Sequence, residues 1–182
     1  VLYLDFFPRA SKRSGAWMTE FRGTSRTADG VETRPLVSLV MNFTRPTAST
    51  PSLLTFDELT TLLHEFGHAL HSLFRKVEYR GLADVEGDFV ELPSQMMEYW
   101  ATEKVYLDLW AEHYQTGERI PADLVGRIVA AKNYLAAYAN VRQVSFGLID
   151  MAWHTLTEPF EGDVEAFERE AMAPAQVLPA VE

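Results

Sequence analysis

The chain has no cysteine among its 182 residues. Disulfides, thiolate metal sites and cysteine nucleophiles are therefore excluded, and any transition metal must be held by histidine and carboxylate. Basic residues are few, sixteen Lys and Arg against twenty-six Asp and Glu. The resulting net charge of -10, with no local basic cluster to offset it, argues against nucleic acid as a partner. Long hydrophobic runs are also lacking: the longest are short and broken by charge, so no membrane span is expected. No signal-type leader opens the sequence, and a cytoplasmic location is the expectation. The start at Val1 and the apolar, proline-punctuated tail "APAQVLPAVE" lead to the expectation of an internal piece of a longer protein.

What is present suffices for one domain with a sizeable core, since 47% of the residues are apolar or aromatic. Residues 1–50 read as strands and loops. "VLYLDFF" (1–7), "GAWMTEF" (15–21) and "RPLVSLVMNF" (34–43) carry the β-branched and aromatic residues of strands, and 23–32 reads as a polar loop. From residue 51 onward the pattern is helical. Helices are expected over 55–74, 89–114, 121–139, 141–156 and 163–172, with a loop at 76–88. Thr55 followed three residues later by Glu58 has the spacing of a capping box. The expected fold is mainly α with a small N-terminal β-sheet, as a single domain over 1–182.

The first of these helices, "TFDELTTLLHEFGHALHSLF", places three titratable groups inside its most apolar run. His64 and His68 are four residues apart, which on a helix sets them on one face with β-carbons about 5–6 Å apart. Two imidazoles so placed can point at one cation, and Glu65, one position round, falls within reach of a bound water. This is the H-E-x-x-H arrangement of zinc hydrolases, in which the glutamate is the general base. Gly67, in a variable position, leaves room for neighbouring backbone. Zinc with two histidines needs a third protein ligand and keeps one position for water. Glu91 in "DFVELPSQMMEYW" is the candidate, because it opens a second helix that a modest loop can fold back on the first. Gln95 and Glu98, one and two turns further on, are candidates for fixing an imidazole tautomer, with Asp84 and Asp88 as competitors. His71, His113 and His154, like Tyr79, Tyr134 and Tyr138, are more simply structural.

"HEFGHALH" followed at this spacing by "DFVELPSQMMEYW" resembles the M3 family of zinc metallopeptidases, the thimet oligopeptidase, oligopeptidase A and dipeptidyl carboxypeptidase group. "YLDFFPRASKRSGAWM" and "LVSLVMNF" upstream and "RQVSFGLIDMAWH" downstream extend the likeness over nearly the whole chain. The resemblance implies a zincin-like catalytic core, one zinc ion per chain bound by His64, His68 and Glu91, Glu65 as base, and short peptides as substrates. It also implies that the strand around Gly15, Ala16 and Trp17 borders the cleft. Two departures stand out. The loop "GLADVEG" replaces a Gly-Thr-Asn-like one, and the family's transition-state donors, a histidine and tyrosines, belong beyond "MAPAQVLPAVE". The alternative is thus a zinc-binding but catalytically incomplete module that acts through a partner. The tail and four tryptophans lead to the expectation of a homodimer through exposed apolar surface.

Overall fold

The computed structural model describes residues 1–177, in two compact units that divide after Ala122. The first unit opens with a three-stranded sheet in the order β1-β5-β2, from β1 (Leu2–Asp5), β2 (Trp17–Arg22) and β5 (Leu36–Val40). The central β5 runs parallel to β1, with Tyr3 opposite Ser38, and antiparallel to β2, with Thr19 opposite Ser38. Its residues are apolar on either side of a buried Ser38, and buried residues alternate onto both faces, as expected of a strand covered on both sides. Val37 and Leu39 are fully buried, and the chain beyond carries the same core forward with Met41 and Phe43. The expected polar loop at 23–32 needs correction: it contains a small hairpin of β3 (Ser25–Arg26) and β4 (Glu32–Thr33). The Ser25 and Thr33 side chains hydrogen-bond across it, cross-strand support that composition does not show.

Helix α1 (Phe56–Phe74) lies on this sheet. Leu62, Phe66, Ala69 and Leu73 recur at helical spacing and pack against the strand core, which fixes the rotation of the helix about its axis. The expected capping box is present, with Thr55 accepting from the Glu58 amide and Glu58 accepting from the Thr55 amide. Because every residue from Thr60 to Leu73 is buried or half-buried, His64, Glu65 and His68 are held in a packed wall.

The helix expected over 89–114 is broken. α2 (Leu92–Glu98) tightens into a 3₁₀ turn over Tyr99–Thr102, Glu103 is extended, and α3 covers only Lys104–Leu107. Ala101 and Leu107 are both 3% exposed. Six residues apart on an unbroken α-helix they would point about 120° apart, so the break lets both face inward. Beyond it, a bridge between Glu112 and Arg119 and a left-handed Gly117 form a turn.

The second unit contains most of α4 (Ala122–Lys132), α5 (Ala136–His154) and α6 (Val164–Met172). The expected boundary near residue 140 instead falls at 133–135, where Leu135 is left-handed. Asn140, read from sequence as a break, lies within α5, where its side-chain amide donates to the Ala136 carbonyl. Asp163 caps α6 through the Ala166 amide, and Trp153, Phe160 and Phe167 pack together there. Of the apolar tail, Leu178 onward lies outside the described residues. Among the described residues, no helix is long and apolar enough to cross a membrane.

Candidate metal centre

Two helices build the centre. Along α1, His64 and His68 project from one side with ring centroids 5.0 Å apart. α2 crosses α1 at Gly67, where an added β-carbon would sit 2.5 Å from the Pro93 carbonyl oxygen and 2.5 Å from Ser94 Cα. Only glycine allows that approach, and it brings the start of α2 over the histidines. Glu91 is the N-cap residue of α2 but does not use its side chain to cap, leaving the carboxylate free to reach across. Its Oε2 stands 3.2 Å from His64 Nε2 and 3.2 Å from His68 Nε2. One donor atom from each of the three residues falls within 4.8 Å of the others. The structure thus brings together the three residues expected as ligands.

Two groups outside the trio set its geometry. His64 Nδ1 lies 2.7 Å from Glu98 Oε1, so of the four candidates for fixing a tautomer it is Glu98 that bonds a ring. Gln95, Asp84 and Asp88 are exposed. Ser94, fully buried against Gly67, donates to Glu91 Oε2 at 2.7 Å. The sequence reading missed this serine, although a hydroxyl three residues after a helix-start carboxylate is a local signal for such a bond. The Ser94 hydroxyl draws the Glu91 carboxyl below its ordinary value; burial opposes this, and the facing His68 and His64 rings add to the lowering. An ionised carboxylate is the form a metal requires.

The donor set fits a divalent cation on its own chemistry. With Nδ1 of His64 bonded to a carboxylate, the proton of a neutral ring belongs on Nδ1, and Nε2 presents a bare lone pair. That lone pair faces a Glu91 carboxylate oxygen at 3.2 Å, so a cation held between the two would be bound by both. The two distances from Glu91 to the histidines are close to the separation of about 3.3 Å between ligands of a tetrahedral ion with bonds of about 2.0–2.1 Å, and the three donors together lie within 4.8 Å.

Glu65 is 9% exposed and lines a cleft with Ala16, Asp57, Thr60, Thr61, His64 and Glu98. Ala16 leads into β2, which has one neighbour in its sheet, so the segment expected beside the cleft does border it. A second cavity, on the His68 side, is lined in part by Met18, His71, Ser72 and Val90. His113 lies beside Tyr114 and His154 pairs with Asp150, each partnered within its own segment.

A mainly α chain in which two helices offer two imidazoles and a carboxylate to one point is a candidate metal-dependent hydrolase core. The chain belongs to peptidase family M3, whose model matches residues 1–177. It is 45% identical over 163 residues to oligopeptidase A of Salmonella typhimurium, covering 88% of this chain and 24% of the relative. It is 40% identical over 185 residues to dipeptidyl carboxypeptidase of the same organism, covering 100% and 27%. To a probable cytosolic oligopeptidase A of Arabidopsis thaliana it is 40% identical over 164 residues, covering 86% and 23%. The chain therefore spans about a quarter of the length of these curated relatives.

Proposed function

We propose that this chain is the metal-bearing, zincin-like core of a zinc-dependent peptidase that hydrolyses short peptides, as an oligopeptidase or peptidyl-dipeptidase, in the cytoplasm. The observation that carries the reading is the convergence of His64, His68 and Glu91, beside a buried Glu65, in a member of this family. The names of the relatives support the substrate class; for the compartment, one relative is named as cytosolic and another as chloroplastic or mitochondrial. One catalytic domain over 1–182 and one zinc ion per chain belong to the same proposal.

His64, His68 and Glu91 are assigned as the zinc ligands, and Glu98 as the group that holds the His64 ring in its Nε2-ligating tautomer. Zinc in this place supplies Lewis acidity and lowers the pKa of a bound water toward about 7. Glu65 is the proton carrier: its carboxylate takes a proton from the attacking water, holds it, and returns it to the leaving amine nitrogen. Burial serves this role by keeping the carboxylate in one place and limiting competing water. The cleft at Ala16, beside edge strand β2, gives an extended peptide backbone a place to lie.

Digestion of a mixed short-peptide library by the zinc-loaded protein, read by mass spectrometry, tests the reading. Glu65→Gln should keep its zinc and lose about 10²–10⁴-fold in rate, the range of general acid–base catalysis. The product ladder distinguishes release of C-terminal dipeptides from internal cuts. Full activity in Glu65→Gln would remove Glu65 as the base. A folded wild-type protein holding one zinc without cleaving any peptide would overturn the peptidase assignment for this chain in favour of a metal-binding module.

A further inference from the structure

We propose that Arg75 is a positioning residue for the metal centre: by fastening the loop 76–90 and edge strand β2 to the end of α1, it holds Glu91 against the two histidines. The inference rests on the assignment of Glu91 as a ligand and extends it to a residue that touches none of the ligands.

Met18 and Glu20 alternate along β2, so both project toward α1, and a carboxylate there needs a cation. The register shift between Glu20 and Arg22 leaves Phe21 as an extra residue, a bulge of the kind that re-aims neighbouring side chains. Arg75 meets Glu20 from the C-cap of α1, seven residues or two turns beyond His68. One guanidinium nitrogen donates to Glu20 Oε2, which also accepts from the Ser72 hydroxyl. The other donates to the Ala83 carbonyl in the loop. The loop's own bonds, from Leu82 N to Tyr79 O and from Val90 N to Glu86 O, close turns within it. Among the hydrogen bonds of the described residues, those of the guanidinium join Ala83 in the middle of the loop to Glu20 on β2 and to the end of α1.

This arrangement is costly. The Arg75 and Glu20 side chains are only 15% and 26% exposed, and Arg75 Nε is buried without a partner. A buried ion pair is poor evidence of stabilisation, so its value is better sought in the geometry it imposes. The geometry here is specific. Arginine's planar fork reaches the two acceptors, one on the strand and one on the loop, from two separate nitrogens in a fixed geometry that lysine's single, flexible ammonium does not reproduce. The loop's far end is Glu91, eight residues past Ala83, and the cavity between tether and ligand is lined by His68, Arg75, Ala83 and Val90. Freeing the loop at Ala83 lets the start of α2 shift, and a ligating oxygen tolerates little displacement.

Zinc affinity, measured by competition with a chromophoric chelator, tests this without recourse to activity. Arg75→Met should weaken zinc binding by about 10–100-fold, the size of effect expected of groups that orient ligands. Arg75→Lys should recover part of the loss. In a Glu91→Ala background the same Arg75→Met change should alter affinity by less than roughly two-fold, because the ligand it positions is gone. An unchanged affinity in folded Arg75→Met, or an equal loss with and without Glu91, overturns the inference. Should Arg75→Met fail to fold, Glu20→Gln replaces it in the same cycle and must show a loss that disappears with Glu91. The metal-site reading fails separately, if His64→Ala binds zinc as tightly as the parent.

Discussion

At the scale of single residues, the centre depends on side chains that differ in how directly they meet the cluster. Glu98 bonds His64 Nδ1 at 2.7 Å. Its loss frees the ring to rotate or change tautomer, and Glu98→Ala should weaken zinc affinity about 10–100-fold. Glu98→Gln keeps an acceptor in the same place and should lose less; equal zinc affinity in all three proteins, by chelator competition, would remove Glu98 from the centre. The pattern "HEFGH" made His64, Glu65 and His68 legible because helix geometry converts a spacing of four directly into shared direction. The choice of Glu98 over Gln95 was not legible, since both lie at whole turns from Glu91 and only the crossing of α2 over Gly67 decides which reaches the ring. Arg75 and Glu20 carried no local signal, being 55 residues apart in sequence and joined only through the sheet.

At the scale of elements, the contact of α1 with α2 is the feature to perturb. Gly67→Ala in an isolated helix would stabilise by about 1 kcal/mol. Here the new methyl meets the backbone of Pro93 and Ser94 at 2.5 Å, so the helices must part. A net destabilisation of about 1–3 kcal/mol and a weaker zinc affinity are expected, read by denaturant unfolding and chelator competition. Stabilisation would mean that the crossing is looser than the structure shows. The capping box makes a pH prediction. Burial pushes the Glu58 carboxyl up, but bonds from the Thr55 and Thr44 amides and hydroxyls outweigh it and leave the pKa lowered. A lowered pKa gives stability that is fully present above the ordinary value of 4.5 and lost as pH falls through the lowered folded value. The stability gap between wild type and Glu58→Gln, measured by thermal unfolding against pH, should therefore shrink on acidification; a gap that widens would reverse the assignment. Thr55→Ala should cost about 1 kcal/mol. This helix start was readable from "TFDE" because its bonds lie within four residues. The break at Glu103 was not, because the burial of Ala101 and Leu107 is settled by packing that hydrophobic periodicity does not record, and the helix runs through Asn140 although its residue type reads as a break.

At the scale of the whole molecule, two opposing terms govern association. The surface carries large apolar side chains. In the first unit Tyr3 and Phe21 form an edge-on pair with centroids 6.4 Å apart while 53% and 66% exposed, and Val1 and Leu4 are 60% and 53% exposed. Covering such groups favours self-association. The net charge of -10 opposes it, since every approach of two copies brings like charges together. Only the second term responds strongly to salt. Raising ionic strength from about 0.01 M to 0.15 M shortens the screening length from about 30 Å to 8 Å and leaves the apolar term almost unchanged. Sedimentation velocity should therefore show a weight-average mass that rises with protein concentration, and rises further at the higher ionic strength. Association that weakens with salt would place ion pairs rather than apolar contacts at the interface, and a monomer under every condition would mean that these side chains do not drive pairing of the chain.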